Sequence, residues 1–184
     1  IINPNDEFGL TKAMILKEES GGTVKVITVG DVTTESVIRK ALAIGADSAI
    51  RINKSATDSY TTALEISNYI KENPADLIIT GKESLDYNGG GVPAMIAEML
   101  HLPLVNACIG LEINNGNAKL SREIDGGKEI LSASLPLVIG GQKGLVQESE
   151  LRIPNMRGIM QARTKPLQVI EPSATEELTS SVSF

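Results

Sequence analysis

The 184-residue sequence predicts an α/β fold: a mostly parallel sheet with helices on both faces, then an antiparallel hairpin extension and a C-terminal arm. Three observations carry that expectation. From residue 3 to residue 110, short β-branched runs alternate with stretches of helical period, the pattern of parallel strands joined by crossover helices. Asn115-Gly116 and Asp125-Gly126-Gly127 then punctuate three strand-like runs, as hairpin turns do. Beyond Gly141 the regular pattern fades into loop-like sequence.

Asn3 and Asp6 are candidate caps for a first helix with Pro4 in its first turn, Phe8, Leu10, Met14 and Ile15 on its apolar stripe, and Gly21-Gly22 at its end. Residues 23–29 are β-branched and read as a buried strand. Gly30-Asp31 turns the chain into a helix over 34–44 that Gly45 closes. Residues 48–52 form a second strand and 59–72 a helix that Asn73-Pro74 terminates. A third strand (75–80), a glycine-rich loop, a helix (92–100) and a fourth strand (103–110) complete the parallel part. Runs at 109–114, 118–124 and 129–132 make the hairpin extension, and residues 136–140 return to a buried strand. The expected division is a nucleotide-binding α/β domain over 1–150, a partner-recognition loop and following helix over 151–171, and a tail over 172–184 rich in Ser, Thr and Glu.

Composition excludes several functions. Two Phe, three Tyr and no Trp leave little for stacking nucleobases, and a net charge of −6 disfavours a broad phosphate-binding surface, so no nucleic-acid partner is expected. Cys108 is the only cysteine, which rules out an internal disulfide and points to a reducing compartment; its apolar neighbours mark a packed thiol. His101 is the only histidine and reads as a helix-end residue, so a Ser-His-Asp triad or His-based metal site has little to build on. No apolar run reaches about 18 residues, and no membrane insertion is expected. The opening Ile-Ile-Asn-Pro lacks Met and reads as an entry in mid-domain.

In parallel α/β sheets ligands bind beyond the carboxyl ends of strands. Three loops qualify: Val29-Gly30-Asp31, the stretch 81–92, and the break after 136–140. The first two would line one pocket if their strands lie side by side. Gly81, Asn88, Gly89, Gly90, Gly91 and Val92 offer backbone N–H groups to a phosphate at a helix start. Asp86 supplies an acceptor suited to a ribose hydroxyl or a loop amide. The stretch matches neither the GxxxxGK[ST] nor the GxGxxG pattern, which argues against nucleotide hydrolysis. The charged turn Arg122–Glu129 reads as a solvated or partner-contacting hairpin. Residues 151–160 interleave Leu151, Ile153, Pro154, Met156 and Ile159 with Arg152 and Arg157, a composition suited either to a small docking surface with a protruding anchor or to a loop folded back on its own core.

Taken together and in order, these segments resemble the β subunit of electron-transfer flavoprotein. The resemblance covers about residues 1–171. It is carried by Arg122-x-x-Asp125-Gly126-Gly127-x-Glu129-x-Leu131 followed by Pro136-Leu137-Val138-Ile139. It is supported by Asn3-Pro4, by Arg39-Lys40-Ala41-Leu42-Ala43-Ile44-Gly45-Ala46-Asp47, by Gly81-Lys82 with Asp86, and by Pro154-Asn155 with Ile159-Met160-x-Ala162. The resemblance implies a Rossmann-like subunit of an α/β heterodimer that carries FAD, with a structural AMP held in the β subunit. It also implies electron transfer from dehydrogenases such as acyl-CoA dehydrogenases to a flavoprotein quinone oxidoreductase, without substrate turnover by this subunit. By motif, the nucleotide pocket would use Asn3, Asp6, Val29, Gly30, Gly81, Asp86, Asn88, Gly89, Gly90, Gly91 and Val92. The family often carries Gln late in this loop, where Gly91 stands here. Docking would use Ile153, Pro154, Asn155 and Met156, with either Ile153 or Met156 as the anchor. The location implied is the cytoplasm of a bacterium, or the mitochondrial matrix in a eukaryote. An electron-bifurcating β subunit with its own FAD and a universal-stress-type ATP-binding protein are the alternatives.

Overall fold

The structure, a computed structural model, describes residues 1–85 and 88–173. Its elements run α1 (Pro4–Ser20), β1 (Lys25–Val29), α2 (Glu35–Ile44), β2 (Ser48–Ile52), α3 (Ser59–Glu72), β3 (Leu77–Gly81), α4 (Gly91–Leu100), β4 (Leu104–Asn114), β5 (Asn117–Ile124), β6 (Gly127–Ser134), β7 (Leu137–Gly141), α5 (Met156–Ala162) and β8 (Leu167–Ile170). The strands form two ladders, β1-β2-β8 and β3-β7-β4-β5-β6. Pairing is parallel except in the β4-β5-β6 extension. The result is the Rossmann-like α/β architecture, with hairpin extension and C-terminal arm, that the sequence predicts.

Side-chain alternation sets the layers. On β3 and β7, Ile78 and Val138 face Ala63, Ile96 and Ala97 of α3 and α4, whereas Leu137 and Ile139 face Phe8 of α1. On β1 and β2, Val29, Ile50 and Ile52 meet Ile66 and Tyr69 of α3, while Ala49 and Val26 meet Ile38 and Leu42 of α2. The period of two thus gives each sheet two apolar faces, as helices on both sides require.

α1 also fixes how the ladders run relative to each other. At its N-terminus Asp6 Oδ1 accepts the Gly81 N–H (2.5 Å) at the end of β3. At its C-terminal end Lys17 reaches Asp47 (2.5 Å), just before β2, and Asp47 Oδ2 accepts from Val24 N, just before β1. The strands therefore run the same way, and Gly30, Gly81 and Gly141 end at one edge of the molecule.

Three details differ from the sequence expectation. The two expected runs form the single strand β4, which pairs parallel with β7 at Leu104, Val105 and Cys108 and antiparallel with β5 from Cys108 onward. Register shifts around Cys108, with Ala107 at φ 53°, bend the strand where both neighbours meet it, and bulges are the usual device for re-aiming a strand. β1 and β3 are not side by side; each is the outer strand of its own ladder, and Ile66 of α3 packs against both halves. β8 was hidden in an apparently unpatterned stretch and extends the first ladder against β2.

Candidate functional site

The loop after β3 is held by the start of α1. Asn3 Oδ1 accepts from Asn5 N, its Nδ2 donates to Glu83 O (2.8 Å), and Asp6 takes the Gly81 amide. Burial lifts the Asp6 carboxyl above the ordinary carboxylate range, opposed by the bonds from Gly81 and Asn3. Gly81 is needed for this approach, since a Cβ there would lie 2.9 Å from Asn5 Cβ and 3.0 Å from Asp6 Oδ1. Asn3 and Asp6 thus spend these atoms on positioning the loop. A cavity of about 390 Å³ lies beside it, lined by Ile1, Asn3, Asp6, Ser84 and Leu85.

The loop closes on itself through reciprocal bonds, Ser84 N to Gly89 O (3.0 Å) and Gly89 N to Ser84 Oγ (3.2 Å). Asn88 adopts φ 50°, and α4 then begins at Gly91 with Gly90 as its cap residue and no capping side chain. The neighbouring α3 contrasts with it: Asp58 Oδ1 caps α3 by accepting from Thr61 N (2.6 Å). Helix geometry leaves the Gly91 and Val92 amides without intrahelical acceptors, so the start of α4 has donors and a positive dipole end to offer. A Cβ on Gly91 would meet only Met95 and the Ser59 side chain, at 3.6 Å and beyond. Asp86 lies outside the described residues.

Val29 is buried, and the Gly30 amide is used within the sheet, donating to Ile52 O (3.0 Å). The Gly30 carbonyl accepts from Arg51 Nη1 (3.0 Å), a buried arginine that also binds Asn53 and Glu35. Gly30 therefore joins the same edge as the α4 start but without a free donor.

The second site-like feature lies on the other end of the chain. Asn155 caps α5, its Oδ1 accepting from Gly158 N (2.8 Å). Only Ala162 of this helix is buried, and Gly158 sits so close to α2 that a Cβ would collide with the Ala43 carbonyl oxygen. Arg39 Nη1 on α2 donates to Ala162 O (2.7 Å) and Lys165 O (2.9 Å), and Lys165 Nζ donates to Leu42 O and Ala46 O at the end of α2. Burial pulls the Lys165 ammonium below its usual range. With α5 pinned this way, the helix and the loop before it leave apolar residues outward: Ile153 in the loop is 86% exposed, and Met156 and Met160 on the helix are 75% and 66% exposed. Pro154 lines the groove between α2 and α5. Sequence reading did not single out Gly158 or the role of Arg39; a small residue and an arginine on separate helices carry no local signal of contact.

Three of the hairpin charges have partners. Arg122 Nε pairs with its cross-strand neighbour Glu129 (2.5 Å), and Glu123 accepts from Gln142. Cys108 is fully buried, its Sγ donates to Gly110 O, and burial pushes its thiol pKa up, as a packed thiol requires. His101 closes α4 in the left-handed region, at φ 54°. No helix among the described residues is long and apolar enough to cross a membrane.

Parallel strands covered on both faces, with an open helix start at their carboxyl edge, define a Rossmann-like α/β domain. Residues 1–175 match the electron transfer flavoprotein domain family. The chain is 38% identical to the electron transfer flavoprotein subunit beta of Bacillus subtilis, over 93% of this chain and 67% of that protein. It is 36% identical to the subunit of the same name from Syntrophomonas wolfei, over 100% of this chain and 73% of the relative. Protein FixA of Azotobacter vinelandii is 32% identical, over 92% and 63%. The chain belongs to the electron transfer flavoprotein family, in its β-subunit branch. It spans roughly two thirds of the length of these relatives.

Proposed function

We propose that this chain acts as the β subunit of a heterodimeric electron carrier, holding AMP at the open start of α4 and docking electron donors through α5. It pairs with an α subunit, the dimer carries FAD, and electrons pass from dehydrogenases such as acyl-CoA dehydrogenases toward a flavoprotein quinone oxidoreductase. The chain itself turns over no substrate in this reading. The observation that carries it is α5, a short helix fixed by Gly158 and Arg39, with Met156 on it and Ile153 in the loop before it exposed. A rigid apolar projection suits a partner that docks briefly over a small area.

The residues of the strand edge fit a phosphate. Among the described residues no side chain caps the donors of Gly91 and Val92, Gly91 leaves room beside them, and the loop is held by Asn3, Asp6 and Ser84. Bound AMP would contribute binding free energy to the folded state and no redox chemistry. Asn3 and Asp6 orient the loop, and the α4 backbone faces the anion.

Denaturing the purified heterodimer and identifying the released ligands tests this reading. One flavin with AMP is expected; two flavins would transfer the chain to the electron-bifurcating alternative. Ile153→Ala and Met156→Ala should slow dehydrogenase-coupled flavin reduction without lowering flavin content, and the larger loss identifies the anchor. Full coupling in the double variant would remove α5 from docking.

A further inference from the structure

Glu65 of α3 is a buried charge that neither the start of α4 nor α5 uses. It is 2% exposed, and both of its carboxylate oxygens are occupied. Lys54 Nζ donates to Oε1 (3.1 Å) from the loop after β2. Ser173, just beyond β8, donates to Oε2 with its amide (2.8 Å) and its hydroxyl (2.9 Å). Asn68 of α3 donates in turn to that hydroxyl (2.9 Å). A buried carboxylate is tolerated only while it is paired and hydrogen-bonded. Ser173 therefore completes the surroundings of Glu65, from 108 positions further along the chain.

The segment 171–173 is tied to both flanks of the edge where the nucleotide is proposed to bind. On one flank Asn53 Nδ2 donates to Glu171 Oε1 (3.3 Å), and Arg51 Nη1 donates both to Asn53 Oδ1 (2.8 Å) and to the Gly30 carbonyl (3.0 Å). On the other, Glu65 and Ser59 share α3, about 9 Å apart along its axis. Ser59 abuts the start of α4, where a Cβ on Gly91 would stand 3.7 Å from the Ser59 Cβ.

We infer that residues 171–173 are a strap latched across the carboxyl edge of the first ladder by Glu65 and Lys54, and that opening of this latch gates release of the nucleotide. The inference rests on the nucleotide reading of the α4 start and adds control of release. When Ser173 lifts, Glu65 loses two donors where water scarcely reaches, so the latched state is the favoured one. Lifting also frees Asn53 from Glu171 and lets Arg51 relax its hold on Gly30. Both flanks of the edge loosen together, and the ligand leaves through that local opening.

The test uses the heterodimer loaded with radiolabelled AMP and chased with excess unlabelled AMP, beside hydrogen exchange of the Ser173 amide. Lys54→Met with Glu65→Leu removes both charges at similar volume, a change that buried pairs often accept without loss of stability. It should speed Ser173 exchange and AMP release by about tenfold or more each, with the melting temperature kept. Glu65→Gln retains an acceptor for Ser173 and should stay within about threefold of native in both. Ser173→Gly removes the hydroxyl donor and loosens the strap without touching α3, so it decides the question should the double variant be unstable. It should speed both processes by about threefold or more. Rapid strap exchange with native AMP release overturns the gate and leaves the nucleotide reading standing. Native strap exchange in the double variant and in Ser173→Gly overturns the latch. A native heterodimer that holds no AMP removes the nucleotide reading, and the gate with it.

Discussion

The open start of α4 and the outward face of α5 are built from opposite materials. At α4 the useful groups belong to the main chain: the amides of Gly91 and Val92, presented by a loop that α1 holds from below. At α5 they belong to side chains, while the backbone of that helix is occupied with its seat on α2. A main-chain site is insensitive to most substitutions and vulnerable to loss of an N–H. A side-chain site behaves the other way round, tolerating change in stability while losing contact.

Substitutions that separate backbone from side chain therefore sharpen the contrast, and the largest effect is expected at Gly91. Gly91→Pro keeps a first-turn residue that helices favour but deletes its amide, and loss of one charge-assisted bond of about 1.5–3 kcal/mol should weaken nucleotide retention at least tenfold. Gly91→Ala, with only ordinary contacts around its new methyl, should retain it. Equal retention in both variants, measured as nucleotide per subunit after gel filtration, would break the main-chain account of α4.

Next comes Gly158→Ala, whose methyl meets the Ala43 carbonyl. Lifting α5 off α2 should cost about 1–3 kcal/mol in denaturant unfolding and reduce coupling too. An unchanged midpoint would mean that Arg39 and Asn155 seat the helix without it.

Asp6→Asn gives a smaller effect whose size depends on pH. The folded-state pKa of Asp6 is raised by burial, so its ionised form is disfavoured in the fold at neutral pH. The favourable contribution belongs to the protonated form, present at low pH and lost as pH rises through the raised value. Asparagine keeps an acceptor for the Gly81 amide without the charge, so the variant should melt at or above the native temperature at pH 7. The difference should shrink on acidification. A variant that is less stable at neutral pH would show that the charge of Asp6 strengthens the Gly81 bond enough to outweigh its burial.

The smallest effect is expected for Ile153→Ala, within about 0.5 kcal/mol in stability, because its side chain is exposed. A larger loss would make Ile153 part of the core rather than of the proposed docking face.

These contrasts also explain what the sequence disclosed. Helices and strands of the parallel part were legible because period, caps and glycines act within a few residues: Ser48–Ile52 and Ser59–Glu72 fall where expected. The hairpins were legible from Asn115-Gly116 and Asp125-Gly126. β8 was not, because four residues pair only through β2, more than a hundred positions away. The exposed character of Ile153 and Met156 was readable as apolar residues among arginines. Their support was not, since Gly158 needs Ala43, and Arg39 needs the carbonyls of Ala162 and Lys165, to acquire meaning. Likewise Asn3 and Asp6 looked like caps, and only the fold shows Asp6 gripping Gly81 across 75 residues.

Cys108 is the only cysteine of the chain and sits, fully buried, where β4 pairs with both β7 and β5. Its thiol pKa is raised by burial, and the thiolate, not the thiol, is the reactive form. An alkylating reagent should therefore leave the folded chain alone and label it only when this junction opens, so a single sulfur serves as a clock for the opening of the sheet at one known position.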